Sequence, residues 1–353
     1  MQARLPEAEA VSDDTASKPT GQLSEEQIRP PELMRAKAGC IERDRRFLLD
    51  RWDRFVRVTC PACGSQELAP AFTKLAFSYE RCADCETILM NPRPSRDLML
   101  EFYESSANYE FWNRHIFPAT EDLRRLKIFR PRAAQVKEIC RREGLTGGTA
   151  LEIGAGFGTF CEELERLDLF DRIIALEPTP ALADTCRGKG LEIIQAPVER
   201  CGLGNACVDL IAAFEVLEHL FSPAGFLASV VRLLKPRGLL VLSCPNVWGF
   251  DVRTLGTLSN TIDHEHVNYF HPGSLRYLLR ACGLAVIEVT TPGKLDADLV
   301  RKAVLEGRLD IRGRPFLKHV LIERWEQLGA SFQQFLTQQR MSSHMWAVAK
   351  KLT

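Results

Sequence analysis

Several things are missing from this 353-residue chain. No apolar run reaches the roughly 20 residues needed to span a bilayer. The N-terminus lacks the apolar core of a secretory signal, which points to the cytoplasm. There is no net charge: 46 Lys and Arg balance 46 Asp and Glu, so no basic excess advertises general binding to nucleic acid or to an anionic membrane. No internal repeat is visible, which excludes a repeat architecture. In a reducing compartment disulfides are also excluded, and the twelve cysteines read as thiols or metal ligands. What remains is an ordinary globular composition, 45% apolar and 26% charged, with room for two or three domains.

Residues 1–40 are rich in Glu, Asp, Ser, Thr and Pro and carry no sustained apolar period, which predicts a disordered tail with a short helix near 32–46. Residues 41–95 hold Cys60-Pro-Ala-Cys63-Gly and Cys82-Ala-Asp-Cys85. Two CxxC knuckles at this separation supply four thiolates, the ligand set of a zinc ribbon. Four protein ligands leave Zn2+ no open position, so the metal is expected to be structural. The other eight cysteines lack such spacing and read as packing residues. Residues 96–145 read as a helical lid or linker, with an aromatic cluster at Tyr103, Tyr109, Phe111, Trp112 and Phe117. From 146 to 353 strand and helix patterns alternate, the signature of a doubly wound parallel α/β sheet. Its last two strands are expected at 284–290 and 343–349, separated by a helical insertion at about 296–340.

The chemistry-bearing motif of that domain is Leu-Glu-Ile-Gly-Ala-Gly-Phe-Gly-Thr-Phe at 151–160. A glycine-rich turn between strand and helix lets backbone approach a nucleotide-like ligand. A dinucleotide fingerprint would place its third glycine at 159, where this chain has Thr159. Glu177 follows Gly154 by 23 residues, Phe-Glu-Val-Leu-Glu-His runs from 214 to 219, and Leu-Leu-Lys-Pro-Arg-Gly from 233 to 238. Four motifs in this order resemble those of class I S-adenosylmethionine (SAM)-dependent methyltransferases, over about residues 147–290. The resemblance implies a Rossmann-like seven-stranded sheet with SAM as cofactor. It implies that Glu152, Gly154, Ala155, Gly156 and Gly158 line the methionine and ribose of SAM. By the same resemblance Glu177 holds the ribose diol, Ala196, Pro197 and Val198 flank adenine, and Glu215 lies near the methionine end. A π face near a sulfonium favours the cation, which makes Tyr109 and Trp112 lid candidates.

Between the fifth and sixth strands, Thr261-Ile-Asp-His-Glu-His-Val-Asn-Tyr-Phe-His271 is the most polar concentration of the domain. Histidines there suit general-base work near neutral pH. The segment resembles the substrate loop of sugar C-methyltransferases, which also pair a zinc-binding module with a SAM domain. Carry-over from that family makes His266 the base, Glu265 its orienting partner and Tyr269 a further substrate contact; His264 and His271 read as bystanders. The expectation is a methyltransferase acting on a small polar metabolite, such as a nucleotide sugar or a natural-product intermediate. The rival is an RNA methyltransferase docking through the ribbon. Neutral charge and the lack of an Asn-Pro-Pro-Tyr or Asp-Pro-Pro-Tyr motif after the fourth strand weigh against it.

Overall fold

Seven strands form the central sheet of the computed structural model, which describes residues 24–352. They are β1 (Thr149–Ile153), β2 (Arg172–Leu176), β3 (Glu192–Ile194), β4 (Val208–Phe214), β5 (Leu234–Pro245), β6 (Leu284–Thr290) and β7 (His344–Lys351). Their spatial order is β3-β2-β1-β4-β5-β7-β6. The first five are mutually parallel, and β7 runs antiparallel to both β5 and β6. Alternation along each strand feeds two cores. Leu151, Ile153, Ile211, Leu240 and Leu242 face the helices Pro223–Leu233 and Pro272–Ala281, while Ala150, Leu210, Ala212 and Val241 face the helix Arg130–Glu143. The expected α/β sheet with its terminal antiparallel pair is thus present. The insertion before β7 is helical as expected (Asp296–Leu305, Trp325–Gln338) and has its own apolar core around Val300, Leu321 and Leu336. Among the described residues no helix is long and apolar enough to cross a membrane.

In the N-terminal region the helix expected near 32–46 is present but begins inside the stretch expected to be disordered. Residues 1–23 of the expected tail lie outside the described residues, but the chain is helical over Glu25–Ile28 and Pro31–Leu49. The second helix buries Lys37, Cys40, Asp44 and Leu48, which fall on one face at three- and four-residue spacing. Two of those four are charged, so the usual apolar stripe is absent. Asp44 earns its burial by capping the next helical segment: its carboxylate accepts from Ser106 Oγ at 2.6 Å, Ala107 N at 2.8 Å and Asn108 N at 3.0 Å. From 96 to 143 the chain is helical almost throughout, with wider turns at Trp112–Ile116 and Arg125–Phe129.

The cysteine module is not the self-contained unit drawn at 41–95. Its antiparallel sheet has four strands, in the order Asn268–Tyr269, Ile88–Met90, Phe77–Cys82, Leu68–Lys74. The first of them comes from the polar loop of the large domain. Arg93 secures this junction. It is fully buried, and its guanidinium donates to Met90 O at 3.2 Å, Phe221 O at 3.3 Å, Asn268 Oδ1 at 2.9 Å and Val267 O at 3.1 Å. Asn268 in turn donates to Leu217 O at 3.2 Å and Leu220 O at 2.7 Å. A rigid planar fork of donors meets acceptors from three segments at once, a geometry that lysine cannot reproduce.

Removing Arg93 would leave buried acceptors unmet and a cavity behind. Arg93→Ala is expected to lower unfolding free energy by about 3–5 kcal/mol in chemical denaturation, and Arg93→Lys by an intermediate amount. A loss below about 1 kcal/mol for Arg93→Ala would show that the junction does not depend on it.

Candidate active site

A cavity of about 1070 Å³ opens at the C-terminal ends of β1, β2 and β4, where ligands bind in open parallel sheets. Its floor is the turn after β1. Gly154 N donates to Leu176 O at 2.8 Å, which folds the turn back on β2. Gly154 and Gly156 both take positive φ, at +76° and +56°, and both line the cavity. A Cβ on Gly154 would stand 2.7 Å from Val216 Cγ2, whereas one on Gly156 would meet no protein atom. Gly156 therefore leaves open space beside it at the cavity wall. At the end of β2 the Glu177 carboxylate accepts from Gly156 N at 2.9 Å and Thr179 N at 2.8 Å. Burial pushes its carboxyl upward in pKa, and these amides oppose the shift. Pro197, Val198, Glu215, Tyr109 and Trp112 complete this part of the lining.

Four residues assigned to the cofactor do not line the cavity: Glu152, Ala155, Gly158 and Ala196. Glu152 is buried beneath the turn, where its carboxylate accepts from Cys161 Sγ at 3.0 Å, and desolvation pushes it up to about 8. Gly158 serves packing, since a Cβ there would come within 2.5 Å of Leu191 Cδ1 and 3.1 Å of Cys186 Sγ. Ala155 belongs to the same small core. Sequence spacing cannot separate a glycine that faces a ligand from one that faces a neighbouring helix.

Glu215 stands on strained backbone at φ +56°, one residue past β4. Its carboxylate accepts from Ser243 Oγ at 2.6 Å and lies 3.3 Å from His344 Nδ1. Burial raises its pKa, but His344, the Ser243 hydroxyl and Arg132 together hold it below the ordinary carboxylate value. His344 Nε2 accepts from Trp346 Nε1 at 3.0 Å, which leaves the Nδ1 proton for Glu215. Arg132 lies over the Phe214 ring at 4.3 Å and makes no hydrogen bond or ion pair among the described residues. Its pKa is lowered by desolvation, against the pull of Glu215 and Glu152. Neither Arg132 nor His344 was legible in the sequence; one is a mid-helix arginine and the other sits on the last strand.

The loop at 261–271 forms the opposite wall. His266 Nδ1 lies 2.7 Å from Thr261 O, so Nδ1 carries the proton and Nε2 is left as an acceptor in the cavity. His219 packs edge-on at 4.7 Å between ring centres, with Nδ1 3.2 Å from Glu265 O. Burial pulls His219 down to about 3, so it stays neutral. Glu218 beside it is fully buried, neither carboxylate oxygen has a partner, and desolvation holds its pKa well above normal. His264 and His271 are buried. His271 Nδ1 accepts from Gly273 N at 3.1 Å, and Nε2 donates to Cys85 O at 2.8 Å, a structural role that ties helix to module.

Two expectations for this loop need correction. Glu265 does not orient His266 by hydrogen bonding: its carboxylate accepts from the Asn108 amide, while His266 is held by the Thr261 carbonyl. Burial beside Asp263 pushes Glu265 up to about 7. Tyr269 does not face the cavity. It is fully buried in the small sheet; its hydroxyl accepts from Asp263 N at 3.1 Å, and its ring meets Tyr79 edge-on. Pairing of Asn268–Tyr269 with the cysteine module turns that ring away from substrate space.

Outside the cavity, the thiols of Cys60, Cys63, Cys82 and Cys85 lie within 4.8 Å of one another. Cys60 and Cys85 are 3.4 Å apart, and Cys63 and Cys82 are 3.6 Å apart, close to the edges of a tetrahedral thiolate site with bonds of about 2.3 Å. Gly64 and Glu86, just after each knuckle, take positive φ, so both knuckles turn the same way. The Glu218, His219 and His266 donor atoms also lie within 4.8 Å of one another.

A family model described as a methyltransferase domain matches residues 123–289. A ubiquinone biosynthesis O-methyltransferase of Xylella fastidiosa (strain M23) is 30% identical over 166 residues, 43% of this chain and 67% of that protein. The C-methyltransferase NovU of Streptomyces niveus is 28% identical over 198 residues, 54% of this chain and 46% of its own length. The solved phosphoethanolamine N-methyltransferase 2 of Haemonchus contortus, in complex with S-adenosyl-L-methionine, covers 62% of this chain and 53% of that one at 16% identity, with a TM-score of 0.41.

The turn supplies a test. Gly156→Val would place a branched Cβ at φ +56° and fill ligand space. SAM affinity by calorimetry should fall by about 100-fold or more in the folded variant. Gly158→Ala should instead destabilise the fold, because its Cβ meets Leu191 and Cys186. Unchanged SAM affinity in folded Gly156→Val would overturn the placement of the cofactor.

Proposed function

The chain belongs to the class I SAM-dependent methyltransferases, and we propose that it methylates a small polar metabolite, with a nucleotide-linked sugar as the leading class. The observation that carries this reading is the meeting of His266 with Gly154, Gly156 and Glu177 around one cavity. When bound, SAM supplies an electrophilic methyl group on a sulfonium. The residues fit that cofactor. Glu177 retains free lone pairs on both oxygens for a ribose diol. Gly156 leaves open space beside it, and Arg132 offers an unpaired guanidinium for the methionine carboxylate. Tyr109 and Trp112 close the site over the cation.

On the acceptor side, His266 Nε2 takes the proton that the acceptor's O–H or C–H loses as its new bond to the methyl carbon forms. One similar protein is named an O-methyltransferase and another a C-methyltransferase. Both acceptor types shed a proton, so a base serves either. Thr261 O fixes the His266 tautomer, and neutral His219 beside it adds no competing charge. The walls contribute orientation and exclusion of water, which supply much of the rate for an in-line displacement. We assign Cys60, Cys63, Cys82 and Cys85 to one structural Zn2+ that holds the module. The module then serves to build the acceptor wall, a role that needs no nucleic acid.

The acceptor is found by supplying labelled SAM to a metabolite pool and reading methyl incorporation by mass spectrometry. With that acceptor, His266→Ala should lower turnover by a factor on the order of 10²–10⁴ while SAM binding persists. Turnover retained in His266→Ala would remove it as the base.

A further inference from the structure

Lys37 lies on the helix Pro31–Leu49, and it lines the same cavity as His266. The residue is only 8% exposed. An ammonium carries three donors and is rarely buried without an acceptor. Among the described residues Lys37 has no hydrogen bond and no ion pair, and its Nζ lies 5.1 Å from the centroid of the Trp112 ring. Glu265 and Asp263 lend it negative charge without touching it, Arg29 opposes them, and the Glu265 carboxyl is itself bound to Asn108. Desolvation lowers the Lys37 pKa accordingly. The same wall has other unmet groups: among the described residues Asn108 Oδ1 and both ring nitrogens of His264 are buried without a hydrogen-bond partner, although His264 Nε2 lies 3.8 Å from the Glu265 carboxylate. Unsatisfied buried polar groups are uncommon and call for an explanation.

We propose that Lys37 anchors an oxyanion of the acceptor, a phosphate or a carboxylate, and so selects anionic metabolites for the methyl-transfer site. This rests on the methyltransferase reading and adds to it the charge of the acceptor. The anion completes the ammonium's hydrogen bonds and removes the imbalance that burial creates. It also fixes the acceptor from a second point, since Lys37 comes from the N-terminal helix and His266 from the loop at 261–271.

Two probes separate the sources of the oxyanion: inorganic pyrophosphate and succinate, titrated calorimetrically into the full chain with S-adenosylhomocysteine bound. At least one should bind the wild type. Lys37→Met should weaken that binding by about 10- to 100-fold, and Lys37→Arg should retain it within a few-fold. Binding of pyrophosphate alone identifies a phosphate-bearing acceptor, and binding of succinate alone a carboxylate. Because an unpaired buried charge opposes folding, Lys37→Met should also melt at the same or a higher temperature than wild type without probe. A purely structural lysine would give a lower melting temperature and unchanged probe affinity, and either result overturns the proposal. Failure of both probes to bind wild type overturns it as well. Methyl transfer to an acceptor without an anionic group would leave the methyltransferase reading standing and sink the role of Lys37. Probe binding that depends on Lys37, with no methylated metabolite found, would sink the small-metabolite reading instead.

Discussion

The buried guanidinium of Arg93 is the constraint on which the acceptor side of this molecule depends. It stands at the junction of three segments that are far apart in sequence: the end of the cysteine module, the turn after β4, and the loop before the helix Pro272–Ala281. Each acceptor it meets is a backbone carbonyl or a buried amide oxygen. Satisfying them all requires the loop to lie against Ile88–Met90 as a strand. That docking buries Tyr269, turns His271 toward Cys85 and leaves His266 on the cavity side. The orientation of the proposed base is therefore set from outside the large sheet, by the cysteine module.

The two halves of the cavity follow different physical rules. The cofactor half is built locally. A strand end, a tight turn and the next strand end bring Gly154, Gly156 and Glu177 together through backbone geometry that the parallel sheet imposes. The acceptor half is assembled from the N-terminal helix, the helical lid and the loop at 261–271, none adjacent in sequence. It is also where charge is least balanced. Lys37 has no ion-pair partner among the described residues, and Glu218 and Glu265 are held toward their neutral forms by desolvation. Such unmet groups are what support the proposed charged acceptor.

What could be read from the sequence divides along the same line. The alternation of strands and helices and the cysteine quartet were legible because each rests on local periodicity or short spacing. The positions of Gly154, Gly156, Glu177 and Glu215 at strand ends follow from the same local signals. Side-chain direction was not legible. Gly158 and Tyr269 sit in recognisable motifs, yet one packs against Leu191 and the other against Tyr79, because a neighbouring segment claims that face. The helix Pro31–Leu49 was expected near 32–46, but its role was not legible, because its inward face carries Lys37 and Asp44 in place of an apolar stripe. Arg132 and His344 lie in ordinary helix and strand patterns and become visible only when the chain is folded.

The central claim is that the cysteine module, held by the proposed Zn2+, sets the conformation of the loop at 261–271. Amide hydrogen exchange of the full chain, with zinc bound and after chelation, tests it most directly. The account predicts that peptides covering 262–270 and 77–90 lose protection together on chelation, while those covering β1 and β4 keep theirs. Loss of protection in 77–90 alone, with 262–270 unchanged, would contradict it.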